Sequence, residues 1–128
     1  MPTFPVVTGD VLTSTIFNGL PAFTVQTAKT VDYTAASGDE YQQLIPMNKA
    51  TAVAFKIPTD ATFAFPTGTV ITVLNIGAGA VTISATTSAT TTILSAGGTA
   101  ASPTLAQYKS AACIKTAANA WYVVGSIA

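Results

Sequence analysis

Charge is the property that this sequence lacks most. It has no Arg and no His, and its five Lys are balanced by five Asp and Glu, so the net charge is zero and only 8% of the residues are charged. About a quarter of a typical soluble domain is charged. Because binding to nucleic acid or to an anionic membrane surface requires clustered Lys or Arg, we expect neither a nucleic-acid partner nor a membrane partner.

The absence of histidine limits the chemistry that the chain can perform. It removes the most common general base and the most common metal ligand. The single cysteine, Cys113, provides neither an internal disulfide nor a Cys–His zinc site, and we expect it to be buried as a small hydrophobic side chain. We therefore expect no metal and no cofactor.

The five acidic residues offer one pair for acid–base chemistry. Asp39 and Glu40 are adjacent, and we expect them to lie in a turn. Paired carboxylates can hydrolyse glycosides, but neighbours in an extended chain point to opposite faces. The chain is therefore predicted not to be an enzyme, and a small hydrolase that uses Asp39 or Glu40 is the enzymatic alternative. The other three acids stand alone near predicted turns: Asp10, Asp32 and Asp60.

Long hydrophobic runs are also missing, although 49% of the residues are hydrophobic. Positions 61–108 carry no charged residue, yet Thr, Gly, Ser and Pro interrupt every apolar run well before the ~20 residues that a membrane-spanning helix needs. Residues 1–9 contain no basic segment followed by a long apolar run, so we expect no secretory signal.

The chain is rich in residues that favour β-strands, with Val, Ile, Thr, Tyr and Phe grouped into short segments between turn signals. This pattern predicts an all-β protein, an antiparallel β-sandwich or barrel. Residues 70–74 are apolar on both faces and predict a central strand, whereas 81–85 alternate between apolar and small or hydroxyl side chains. The predicted strands are 23–27, 30–34, 41–46, 51–57, 69–76, 80–85, 91–95, 110–116 and 120–127.

Two parts follow from this pattern, an N-terminal arm over residues 1–23 and a β domain over 24–128. Thr13 is suited to cap a short helix over 14–18, and Gly19 is suited to end it. A helix this short needs an external surface, which is either the rest of the same subunit or a partner. The arm residues predicted to bind a partner are Phe4, Val6, Val7, Leu12, Ile16, Phe17 and Leu20.

Two local motifs have both a structural and a functional interpretation. The glycines at 77 and 79 resemble part of a dinucleotide-binding loop, but the residues that follow are strand-like, so a hairpin turn between two strands is predicted. Trp121 and Tyr122 alternate with two valines near the C-terminus. This spacing predicts that Trp121 packs in the core, and an aromatic platform for a sugar or a partner is the alternative.

The C-terminal half resembles a module that recurs in virion proteins of tailed bacteriophages. Four pieces carry the resemblance in order: FPTGTVITV at 65–73, IGAGAVTI at 76–83, QYKSAACIK at 107–115 and NAWYVVG at 119–125. The segment GDVLT at 9–13 also resembles a lead-in segment of such proteins. The resemblance covers 63–128 well and 9–20 loosely, and it does not include 24–60.

This resemblance implies a structural protein of the virus particle, with no catalytic residues to carry over. A chain of 128 residues without heptads or a collagen-like repeat fits a capsid decoration (cement) protein better than a fibre. The expected partner is the major capsid protein on the outer capsid surface, with the chain itself as a homotrimer. The alternative is a tail-fibre or head-fibre component in which Tyr108 or Tyr122 contacts host glycans.

The uncharged stretch 61–108 adds an expectation about assembly. Exposed strand edges are normally guarded by Lys and Glu against pairing with other chains, and the predicted strands of this stretch have neither. We therefore expect their edges and faces to be covered by other subunits.

Overall fold

The computed structural model describes residues 25–41, 44–95 and 102–127, and this part of the chain is all-β and contains no helix. Among these residues, accordingly, no helix is long and apolar enough to cross a membrane. The predicted arm over 1–23, with its helix over 14–18, lies outside the described residues. The strands are β1 (Tyr33–Thr34), β2 (Leu44–Met47), β3 (Val53–Ile57), β4 (Val70–Asn75), β5 (Val81–Ala85), β6 (Thr92–Ser95), β7 (Thr104–Leu105), β8 (Ser110–Ala117) and β9 (Ala120–Gly125).

The strands form two sheets of mixed direction rather than the predicted antiparallel sheets, and neither closes into a barrel. The four-stranded sheet has the order β1-β3-β5-β7, and the five-stranded sheet has the order β2-β4-β8-β9-β6. Strands β1, β3 and β5 run parallel, as do β2 with β4 and β6 with β9. The physical reason is that consecutive strands from β1 to β5 alternate between the sheets. Each strand therefore meets the strand two places along the chain, which runs in the same direction.

The segment 76–80 connects two sheets and is not the hairpin turn that its sequence predicts. It carries the chain from β4 in one sheet to β5 in the other, and so forms an arch. The strands β2 and β3 lie against β4 and β5 at a constant offset of 28 residues, since Ile45 pairs with Val73 and Val53 pairs with Val81. Residues 44–57 and 72–85 are thus two successive turns of one flattened coil.

Glycine allows the two arches of this coil to stack. A Cβ at Gly77 would overlap the backbone of Lys49, and a Cβ at Gly79 would overlap the backbone of Thr51. The buried side chain of Asn75 fixes the arch from inside, because its Nδ2 donates to the carbonyl of Gly79 at 2.8 Å and its Oδ1 accepts from the amide of Gly77 at 3.0 Å. The two glycines therefore allow the backbones of the two arches to pack closely against each other.

Both sheets contribute alternate side chains to one hydrophobic core, where each fully buried Val, Leu, Ile or Phe contributes about 1.5–3 kcal/mol. Cys113 is buried, as predicted. Trp121 also lies in the core, where its ring meets Phe65 edge to face at a centroid distance of 5.7 Å, so the core interpretation of Trp121 is confirmed. The other core residues include Ile45, Met47, Val53, Phe55, Ile57, Ile71, Val73, Val81, Ile83, Ile93, Leu105 and Val123.

The predicted strands agree with the observed ones except at two places. In 23–27, the described residues contribute only a bridge from Val25 to Leu44, and β7, which follows Pro103, was not predicted. Strand β4 lies between β2 and β8, which confirms its predicted central position. Strand β5 also has a neighbour on each side, although β7 pairs only with Val81 and Thr82. The other two strands of the uncharged stretch, β6 and β7, lie at the edges of their sheets.

Candidate functional site

The outward surface of the five-stranded sheet carries no charged residue. Because side chains alternate along a strand, the residues between the core positions point away from the core. We call this surface the apolar outer face, since only four hydroxyl side chains interrupt its apolar side chains. Its positions are Leu44, Val70, Thr72, Leu74, Thr92, Leu94, Ser110, Ala112, Ile114, Thr116, Ala120, Tyr122 and Val124, whereas Pro46 on the same side of β2 is buried.

The strand register brings the large side chains of the apolar outer face together. Val70 pairs with Ile114, Ile114 pairs with Tyr122, and Tyr122 pairs with Leu94, so that one row crosses four strands. Val124 lies two residues from Tyr122 on the same side of β9. Tyr122 is 44% exposed and Val124 is 49% exposed. Val70, Ile114 and Leu94 are half-buried, so Tyr122 and Val124 are the exposed large side chains of this row and its neighbourhood. Exposed apolar surface of this kind is typical of interaction sites.

The outward surface of the four-stranded sheet has the opposite character. Its positions carry three threonines, one serine, one lysine and one alanine, so water can solvate nearly every one of them. The two sheets of one small protein therefore have different outer surfaces, and only one of them has the composition of an ordinary solvated surface. These positions are Thr34, Ala54, Lys56, Thr82, Ser84 and Thr104.

A buried ion pair joins the five-stranded sheet to the loop that follows β3. The ammonium of Lys115, whose side chain is only 3% exposed, donates to Asp60 Oδ1 at 2.9 Å and to the carbonyl oxygen of Phe65 at 2.6 Å. The backbone amide of Asn119 donates to Asp60 Oδ2 at 3.2 Å, and Asn119 Oδ1 accepts from the amide of Asp60 at 2.8 Å. This network fixes the β8–β9 hairpin, and with it the position of Tyr122.

The carboxylate of Asp39 is part of a folded turn in the structure. It accepts hydrogen bonds from the hydroxyl of Tyr33 at 2.8 Å, from Gln26 Nε2 at 2.6 Å and from the amide of Ala36 at 2.8 Å. Desolvation by burial and the hydrogen bond to Asp39 raise the pKa of Tyr33 above its ordinary value. Asp39 and Glu40 lie in the predicted turn, and all three donors to Asp39 come from the 13 residues that precede it.

The two tyrosines of the glycan hypothesis lie apart. Tyr108 is 76% exposed and adopts a left-handed backbone conformation at φ 66°, in the loop before β8. Its amide donates to the carbonyl of Asn75 at 2.6 Å. Tyr122 pairs with Ile114, which is four residues beyond the start of β8 and therefore about 13 Å along that strand. The two rings do not form one platform.

The seven arm residues predicted to bind a partner, Phe4, Val6, Val7, Leu12, Ile16, Phe17 and Leu20, lie outside the described residues. Of the candidate site residues that lie in the described part of the chain, only Tyr122 belongs to the apolar outer face. The sequence did not predict the other residues of the apolar outer face, because the pattern of a single strand does not show which of its two faces a second sheet covers. The signal was present in 70–74, where a strand that is apolar on both sides lies in a sheet with only one covered face.

Comparison of the chain with known proteins finds no match to a family model, to a curated protein or to a solved structure. Within the described residues, no group of three or more Cys, Asp or Glu side chains is placed to hold a metal ion. The candidate site of the described residues is the apolar outer face, a sheet surface without charged residues.

Proposed function

We propose that this chain is a structural, non-enzymatic protein of a tailed-bacteriophage particle, a decoration (cement) protein that binds the outer face of the major capsid protein lattice and stabilises the shell. The observation that carries the proposal is the apolar outer face, since a surface with exposed Tyr122 and Val124 and no charge belongs to a protein that works in an assembly. The sequence resemblance over 63–128 indicates that this assembly is the particle of a tailed bacteriophage.

The mechanism of this function is binding without chemistry. A protein that binds the closed shell, and not its separated subunits, stabilises the shell by RT ln(1 + [L]/Kd), which is about 2.7 kcal/mol per site when the free protein is at 100 times its Kd. In this proposal the arm over 1–23 contacts the shell through its apolar residues, and the apolar outer face is a second contact surface within the assembly. The two-sheet domain supplies a rigid body held by one core and by the Lys115–Asp60 pair.

Mixing the purified full-length protein with undecorated shells tests this proposal. We expect a fixed number of bound copies per capsomer and a higher dissociation temperature of the decorated shell. Replacing Phe17 by Asp is expected to abolish binding, whereas Thr8→Asp, a matched charge at a polar position of the arm, is expected to retain it. Absence of binding at micromolar protein contradicts the proposal. Full binding by the Phe17 variant contradicts the role of the arm.

A fibre component that contacts host glycans is the second candidate, and the exposure of Tyr108 favours it. A ring that is 76% exposed on a backbone with positive φ is unusual, because residues other than Gly rarely adopt this conformation and do so more often at functional sites. Electron microscopy of particles labelled with an antibody separates the two candidates. Label over the whole capsid supports decoration, and label confined to a fibre supports this alternative.

A further inference from the structure

The apolar outer face requires a cover, and we propose that the same face of another copy of this chain provides it. In this arrangement the five-stranded sheets of different copies pack face to face, with the hydroxyl-covered four-stranded sheets turned outward to water. The inference goes beyond the proposed function, because it concerns contacts between copies and does not require a shell.

Charge is the first argument for a second copy. None of the described charged residues belongs to this face. Lys56 is on the outer surface of the other sheet and Lys115 is in the core, and the rest lie outside the nine strands: Lys29, Asp32, Asp39, Glu40, Lys49, Asp60 and Lys109. A face without charge matches itself, since two copies bring no like charges together and leave no buried charge unpaired. The chain as a whole has zero net charge, so copies do not repel one another at a distance.

The size of the face is the second argument. Five strands spaced about 4.8 Å apart and up to six residues long, at about 3.4 Å per residue, give a surface of about 24 by 20 Å. Two such surfaces in contact remove about 1,000 Å² from water, which is the area at which specific protein interfaces begin. The row of Val70, Ile114, Tyr122 and Leu94 provides side chains that interdigitate between sheets about 10 Å apart.

Sedimentation velocity of the full-length protein, from about 1 µM to about 100 µM, tests the inference. We expect a mass of two chains, since each apolar outer face covers one other. Tyr122→Glu is expected to weaken association by at least about 100-fold, because it places like charges opposite each other in the contact. The matched control Thr82→Glu adds the same charge to the centre of the four-stranded sheet's outer surface and is expected to leave association unchanged.

Cross-linking tests the same contact without adding charge. Cys113 is buried, so Val124→Cys gives the described part of the chain one accessible thiol. A short bis-maleimide is expected to join two Val124→Cys chains, whereas Thr82→Cys chains on the opposite sheet are expected to stay separate. A protein that is monomeric over the whole concentration range overturns the inference and shows that the face has another cover, such as the protein's own arm. An oligomer that Tyr122→Glu leaves intact and Val124→Cys does not cross-link also overturns it.

These outcomes are independent of the shell-binding experiment. A self-associating protein that does not bind shells contradicts the proposed function and supports the inference. A monomeric protein that binds shells supports the proposed function and contradicts the inference.

Discussion

Removing the partner of the buried lysine is expected to be one of the most damaging single changes to this fold. Lys115 is 3% exposed, and its ammonium has two acceptors, Asp60 Oδ1 and the carbonyl oxygen of Phe65. In Asp60→Ala the positive charge stays in the core with a single carbonyl acceptor. In Lys115→Met the charge is removed and a side chain of similar volume fills its place.

The magnitudes of the two changes follow from burial. Breaking a buried ion pair by removing one partner costs about 3–5 kcal/mol. Because the side chain of Asp60 is 22% exposed, water can reach the ammonium that is left, so we expect about 3 kcal/mol for Asp60→Ala. We expect about 1 kcal/mol or less for Lys115→Met, since the remaining carboxylate is partly solvated and keeps its bond from the amide of Asn119.

Urea denaturation of the two single variants and of the double variant measures this asymmetry. With an m-value of about 2 kcal/mol/M, the midpoint of Asp60→Ala is expected to fall by about 1.5 M. The double variant is expected to resemble Lys115→Met, because no charge remains to be stranded, which gives a coupling energy of about 2–3 kcal/mol. If Asp60→Ala costs no more than an exposed pair, about 0–1 kcal/mol, or if the two single effects simply add, the reasoning is wrong.

Three further predictions concern the arch, the thiol and the buried turn. Gly79→Ala is expected to lower the free energy of unfolding by about 1–3 kcal/mol because its Cβ meets backbone, while Ala80→Ser at the exposed neighbouring position changes it by less than about 0.5 kcal/mol in the same urea experiment. Burial raises the pKa of Cys113 to about 12, so at about pH 8 a thiol reagent is expected to label it only as fast as the protein unfolds, and faster labelling of native protein contradicts this. The pKa of Tyr33 is raised from 10.0 by burial and by Asp39, so the stabilisation by its hydroxyl is full below pH 10 and is lost as the pH rises further. The difference in unfolding free energy between the parent and Tyr33→Phe is therefore expected to shrink above pH 10, and a constant difference contradicts the assignment.

The local part of the fold could be predicted from the sequence. Alternation in 81–85 and the doubly apolar run in 70–74 predict strands, because the period of two is a property of each strand alone. The same applies to Trp121, whose alternation with exposed Tyr122 indicates the core side of β9. Strand β7 was missed because two residues after a proline carry too little pattern.

The partner of each strand could not be predicted in the same way. A Gly-Ala-Gly segment between two strands is compatible with a hairpin and with an arch, and only contacts 28 residues away distinguish them. The stacking of Gly77 on Lys49 is such a contact, and no local pattern reports it.

The candidate site depended on the same non-local information. The missing charge in 61–108 predicted unguarded edges, and of the four strands in this stretch β6 and β7 lie at the edges of their sheets, whereas β4 and β5 lie inside. The outer sides of β4 and β6 also carry no charge, and both belong to the apolar outer face.

The constant offset of 28 residues between the two turns of the coil is the length of one structural repeat of this fold. Because 28 is an even number, a chain lengthened by one such unit keeps every inward side chain inward and every outward side chain outward. Each added unit widens both sheets by one strand, or about 4.8 Å, and continues the stack of arches at 48–52 and 76–80. An odd number of residues inserted within a strand exchanges core and surface along the rest of that strand. The fold can therefore grow in discrete steps along the direction of its own hydrogen bonds.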